Sequence, residues 1–229
     1  SLVPALAALA RVRADVPSLQ SAEVFFAEGM RLVCEHARLR QPFAAGANAY
    51  LLLEAAGDSH ASSELLEALQ HTATLGDSAV AIEPHDRARL WAYRERHTEA
   101  INAAGVPHKL DVAVPLERAA GFERELRALV ATVPAARLVL FGHLAEANFH
   151  VNLLGLPPGD ERLDAAVLKL AAGHGGTISS EHGIGVAKAA WLPLVREQAD
   201  ISAMRAIKEA LDPLGVLNPG VIFPARPRP

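Results

Sequence analysis

The chain has 229 residues, 51% hydrophobic and 21% charged, so it is long enough to build its own core and lies outside the composition range of disordered chains. Its formal net charge of −4, with basic residues scattered along the chain, excludes the electrostatic footprint of a nucleic-acid binder. The single cysteine, Cys34, excludes a disulfide framework and cysteine-rich zinc modules, and no apolar run reaches the ~18 residues of a membrane span.

The Ala/Leu-rich residues 1–20, with Pro4 and Pro17, predict a short helix or a connecting segment. Residues 23–36 carry Val24, Phe25, Met30, Leu32 and Val33 and predict a helix. Residues 48–55 are short and apolar and end at Gly57-Asp58, which predicts a buried strand. A helix is expected over 62–73 and a strand over 78–82. Residues 85–103 form the longest helical pattern, with Leu90, Arg94, Thr98 and Ile101 on one face; Gly105 and Pro107 end it. Residues 109–114 alternate as a strand, and Pro115 opens a helix running to about Val130. Residues 138–143 and 148–154 predict two strands joined by a short loop. A helix over 161–172 leads into the glycine-rich stretch 173–185. A last helix over 202–211 stops at Asp212-Pro213-Leu214-Gly215, before a frayed proline-rich end.

Helices alternate with strands, but some strands are consecutive. The expected class is therefore α+β, with an antiparallel or mixed sheet covered by helices. No GxGxxG follows a strand and no Walker loop occurs, so the chain has no nucleotide-binding signature of its own. The start of the chain lacks a signal-peptide pattern, and with one cysteine the expected setting is cytoplasmic.

From Asn148 the residues alternate polar and apolar. A strand there places Asn148, His150 and Asn152 on one face and Phe149, Val151 and Leu153 on the other. Asparagine is depleted in strands, so this face reads as a lined site; the alternative is a sheet face whose polar groups bond neighbouring loops. A hairpin brings His143 near His150, and two imidazoles suit a borderline metal such as zinc. The glycine-rich loop adds Glu181 as a third ligand candidate and His182 as a titratable base; otherwise it is a plain connection between helices. Arg94 and Thr98 share a helical face, and Lys109 opens the next strand. Either the two cations hold a carboxylate ligand, or they are surface charges with Arg94 paired to a neighbouring acid.

Three stretches in order, FGHLAEANFHVNLL, GGTISSEHGIGVAKAAWL and AMRAIKEALDPLGVLNPG, resemble the C-terminal domain of the FAD-linked oxidase family. That family holds flavin-dependent 2-hydroxy-acid dehydrogenases, including glycolate oxidase subunits and D-lactate dehydrogenases. The resemblance runs from about Glu23 to the end. Two departures occur: Ala145-Glu146-Ala147 replaces the usual Gly-Asp-Gly, and Ser180 replaces a glycine before Glu181-His182-Gly183.

The resemblance implies a ferredoxin-like cap domain over residues 23–229, with 1–22 as a connecting segment from an N-terminal FAD-binding domain outside this sequence. It also implies an inactive fragment by itself, a small 2-hydroxy-acid substrate, and an unidentified electron acceptor; a homodimer is the assembly considered. Members acting on 2-hydroxyglutarate match more sharply, including the string Leu90-Trp91-Ala92-Tyr93-Arg94-Glu95-Arg96. Carried over from them, a divalent metal, expected to be zinc, falls on His143, His150 and Glu181. The active-site histidine falls on His182. Substrate contacts fall on Arg94, Thr98, Lys109 and Asn152, and flavin contacts on Asn148 and Asn218. Two other readings stand beside this one. A zinc hydrolase would use the same ligands on water, and a non-catalytic association module would use the histidines structurally.

Overall fold

The computed structural model describes residues 1–57, 59–70, 72 and 76–223. Five strands form one sheet in the order β2-β1-β4-β5-β3: β1 Leu19–Phe26, β2 Ala49–Ala55, β3 His108–Ala113, β4 Arg137–His143 and β5 Asn148–Leu154. All four pairings are antiparallel, so the mixed-sheet option drops out and the α+β class stands. Eight helices surround the sheet among the described residues: α1 Val3–Asp15, α2 Ala27–Ala37, α3 Ser59–Gln70, α4 Pro84–Glu95, α5 His97–Ala104, α6 Ala119–Ala131, α7 Arg162–Gly173 and α8 Gln198–Leu211. None is long and apolar enough to cross a membrane.

Both faces of the sheet are covered. One face sends Val24, Val112, Leu140, Phe149 and Val151 into the larger core, which Leu9 of α1, Phe122 and Leu126 of α6, and Val167 of α7 complete. The other face sends Phe25, Tyr50, Val139 and Phe141 against Met30 and Val33 of α2 and Ile101 of α5. Each large apolar side chain withdrawn from water contributes about 1.5–3 kcal/mol, so these two layers fix the strand register and thereby the polar groups described below.

Four sequence expectations are corrected here. Residues 23–26 belong to β1 and the helix begins at Ala27. This strand is buried on both faces, so its apolar run merges with that of α2 and hides the period of two. The 85–103 helix is two helices, broken at Arg96 (φ −82°, ψ 2°). The break lets α4 stay on the surface while α5 turns His97, Ala100 and Ile101 inward. Residues 78–82 form no strand; they have no ladder partner, and Val80 and Ile82 are more than half exposed. The last helix starts at Gln198, four residues before the expected position.

The expected connecting segment 1–22 contains α1, with Leu2, Leu9 and Val12 fully buried, and the first half of β1. Asp58 of the predicted turn, His71 and Ala73 of the predicted helix and the proline-rich end from 224 lie outside the described residues.

Candidate active site

Directly paired residues in an antiparallel ladder share a face. Glu23 pairs with His143, His143 with Asn148, Phe141 with His150, and His150 with Asp111. These pairs put Glu23, His143, Asn148, His150 and Asp111 side by side on the face that also carries Phe25 and Phe141. The apolar end of this face lies under α2 and α5. Its polar end opens into a cleft of about 660 Å³, whose walls include Trp91, Arg94, His143, Asn148 and Glu181.

Residues 174–188 wrap the outer edge of β3. Thr177 pairs with Ala113 through two backbone hydrogen bonds of 2.8 and 3.3 Å. Gly176 allows that approach, since a Cβ there would run into the carbonyl oxygen of Ala113. Beyond Thr177 the loop turns over the sheet face, and Oδ2 of Asp111 accepts the backbone N–H groups of Ser180, Glu181 and His182 at 3.0, 2.7 and 2.9 Å. Lys188 is buried and donates to the Asp111 carbonyl oxygen at 3.3 Å. This anchoring carries Glu181 and His182 over the two strand histidines.

His143 has carboxylates on both sides: its Nδ1 lies 2.8 Å from Oε1 of Glu23, and its Nε2 lies 3.1 Å from Oε1 of Glu181. Asn148 donates to the same Glu181 oxygen at 2.5 Å. The His150 ring stands edge-on to His143 with centroids 5.4 Å apart and stacks on His182 at 5.6 Å and 15°. Its Nδ1 faces Oδ1 of Asp111 at 3.9 Å. Arg94 donates from Nε to Oε2 of Glu23 at 2.7 Å and lies 4.6 Å over the Phe141 ring. Among the described residues its Nη groups make no hydrogen bond, and Arg94 lines the cleft.

The electrostatics follow from this placement. The Glu23 hydrogen bond lifts the His143 pKa above the ordinary histidine value against the opposing effect of burial. Burial would raise Glu23, but its hydrogen bond from His143 and the charge of Arg94 together hold it below the usual glutamate value. Burial, with Arg94 nearby, pushes the His150 pKa below the ordinary histidine value, toward the neutral form that a metal ligand requires. Burial would raise Asp111 too, but the loop N–H groups of His182 and Glu181 lower it overall.

These residues fit a metal. One donor atom each from His143, His150 and Glu181 lies within 4.8 Å of the others. Zinc bonds of about 2.0–2.2 Å place ligand atoms roughly 3.4 Å apart, so a small closure of side chains suffices. A carboxylate behind each histidine, Glu23 for His143 and Asp111 for His150, is the usual support for a metal-bound imidazole.

The structure brings together His143, His150, Glu181, His182, Arg94 and Asn148. Asn152 lies on the same face, but it is buried and its amide donates to the carbonyls of Val139 and His150. Lys109 pairs with Asn152 and is exposed at the end of β3, outside the cleft walls. Thr98 is exposed on α5 beyond the helix break, and it too lies outside those walls. Asn218 sits in a left-handed turn (φ 45°) after α8, beside a different cavity. Sequence reasoning missed Glu23 and Asp111. The available signal for Asp111 was an acid inside the strand pattern KLDVAV, where aspartate is disfavoured.

Residues 1–222 match the family described as FAD linked oxidases, C-terminal domain. The mitochondrial D-2-hydroxyglutarate dehydrogenase of Rattus norvegicus is 33% identical over 217 residues, covering 91% of this chain and 40% of that protein. The D-2-hydroxyglutarate dehydrogenase of Xanthomonas citri pv. viticola is 33% identical over 225 residues, 92% of this chain and 47% of that protein. The mitochondrial D-2-hydroxyglutarate dehydrogenase of Arabidopsis thaliana is 30% identical over 205 residues, 85% of this chain and 36% of that protein. The chain thus spans less than half the length of these relatives. With its antiparallel sheet and the match along nearly all its length, it belongs to the family of FAD linked oxidase C-terminal domains.

Proposed function

We propose that this chain is the substrate-covering part of a flavin-dependent dehydrogenase that oxidises a D-2-hydroxy acid to the 2-oxo acid, with a 2-hydroxy dicarboxylate as substrate. The observation that carries the reading is the grouping of His143, His150 and Glu181 within ligand distance of one another, with His143, Glu181 and Arg94 on the cleft wall and His182 stacked on His150. The dicarboxylate choice draws on the names of the relatives and on the Arg94 Nη groups, which are free for a bidentate carboxylate contact.

His143, His150 and Glu181 would hold a divalent metal, zinc by the chemistry of two imidazoles and one carboxylate. When bound, the metal supplies Lewis acidity toward the substrate hydroxyl and the adjacent carboxylate. The flavin, contributed by a further domain, supplies the acceptor for the hydride leaving C2. His182 takes the hydroxyl proton as general base; its side chain is 60% exposed, while its backbone N–H is fixed by Asp111. Arg94 orients the distal carboxylate through Nη while Glu23 holds its Nε. Lys109, Thr98 and Asn152 are candidate substrate contacts on the family resemblance alone, since Lys109 and Thr98 lie outside the cleft walls and Asn152 is buried with its amide engaged. Asn148, whose buried Oδ1 lacks a partner among the described residues, is the candidate flavin contact in the cleft; Asn218, beside the other cavity after α8, is a candidate on the family resemblance alone.

The test is Arg94→Ala in the full-length protein. The loss of kcat/KM with D-2-hydroxyglutarate should exceed the loss with D-lactate by about 30-fold or more, the scale of one charged hydrogen-bond pair. Equal losses on both substrates sink the dicarboxylate assignment.

A further inference from the structure

Asp111 is an aspartate in the middle of a strand, 1% exposed in its side chain, with its two oxygens in unlike surroundings. Oδ2 accepts three consecutive loop N–H groups. Oδ1 is buried and accepts none, although it faces Nδ1 of His150 at 3.9 Å. A buried acceptor without a donor costs about 1–3 kcal/mol. The loop already meets Oδ2, and the Lys188 ammonium bonds the Asp111 backbone carbonyl instead of the side chain. Among the described residues, the ion-pair partner opposite Oδ1 is Nδ1 of His150, whose N–H would reach it after a small rotation of that ring.

We propose that Asp111 is the positioning residue of this site: Oδ2 pins the loop that carries Glu181 and His182, while Oδ1 holds the proton of His150 on Nδ1 and leaves Nε2 free as a ligand. One carboxylate thereby ties two ligands and the base, which come from β5 and from a loop some thirty residues later, to a single strand position. Glu23 serves His143 differently, because its second oxygen goes to Arg94 and not to the loop. This inference rests on the metal reading above.

The two functions separate chemically. In Asp111→Asn, the amide oxygen still accepts the three loop N–H groups. Its NH₂ then faces His150 Nδ1, which must accept, and the ring proton moves to Nε2, where it blocks ligation. In Asp111→Ala both functions are lost. The experiment uses the full-length protein, with zinc affinity measured by chelator competition and amide exchange over 178–190 measured by mass spectrometry.

Asp111→Asn should weaken zinc by about 10- to 100-fold with loop exchange as in wild type. Asp111→Ala should weaken zinc at least as much and speed exchange at 180–182 by about tenfold or more. Wild-type zinc affinity in Asp111→Asn, with the loop still protected, overturns the role of Oδ1. Unchanged exchange in Asp111→Ala overturns the pin. A wild-type protein that binds no zinc overturns the metal reading itself and this inference with it, an outcome distinct from a wild type that binds and variants that bind equally well.

Discussion

The two faces of the sheet solve different problems. The face toward α1, α6 and α7 presents Val24, Leu140, Phe149, Val151 and Val112, all nearly or fully buried, and none of them has a polar atom to satisfy. The opposite face begins in the same way, with Phe25, Tyr50 and Phe141, and then changes within two residue pairs to Glu23, His143, His150, Asn148 and Asp111. Among the described residues five buried side-chain atoms lack a partner. Asp111 Oδ1 and Asn148 Oδ1 lie on this face, and His97 Nε2 packs against its Phe25 and Phe141. Unsatisfied buried polar groups are costly, and three of these five gather at this face, the pattern expected where a ligand completes them. The first face is the support that makes the second tolerable.

The largest expected effect falls on the supporting face. Phe149 is fully buried, its ring 5.6 Å from Phe122, and it lies between the site residues Asn148 and His150 with its side chain on the far side. Phe149→Ala should lower the unfolding free energy by about 3–5 kcal/mol in denaturant titration. If zinc affinity measured well below the unfolding midpoint drops as steeply as stability, the two faces are not separable as argued.

A smaller effect concerns pH. His97 is fully buried in the second core, held neutral with a pKa near 4 by burial. The unfolded chain takes up a proton near pH 6.5 and the folded chain only near 4, so stability rises with pH across that interval. The contribution is complete above 6.5 and falls away as pH drops toward 4, by roughly 3 kcal/mol in all. Unfolding curves at pH 7 and pH 4.5 should therefore converge in His97→Gln relative to wild type. An acid loss of the same size in both proteins removes His97 as its source.

The smallest effect is at the turn between the site strands. Ala147 stands at φ 46°, in the left-handed region, where the resembling family has glycine. Ala147→Gly removes a left-handed penalty of about 1–2 kcal/mol. It also removes a buried methyl worth about 0.8 kcal/mol and adds backbone freedom to the unfolded chain worth about 0.5–1 kcal/mol. The unfolding free energy should move by less than about 1 kcal/mol in either direction; a gain well above 1 kcal/mol would mean that the methyl contributes nothing to the core.

The same contrast explains what was legible in the sequence. The β4–β5 hairpin and its histidines are adjacent in sequence, and their alternation survives because one of their faces is polar. β1 was hidden for the opposite reason, because its C-terminal half is buried on both faces and its run Val24-Phe25-Phe26 merges with the apolar residues of α2. The break at Arg96 depends on His97 finding a place against Phe25 and Phe141, which local helical spacing does not encode. Glu23 and Asp111 matter through partners 120 and 39 positions away, so their roles are set by register and not by motif.

The wrapped edge of β3 has a further consequence. An outer strand with alternating apolar residues is a template on which another chain can add itself. Here Ala113 is engaged by Thr177, the Asp111 carbonyl by the Lys188 ammonium, and the remaining open end carries the charge of Lys109. The loop that carries Glu181 and His182 thus also leaves less of this edge open to an added strand. Variants that detach it should surface first as aggregation during expression, before any assay of the reaction can be made.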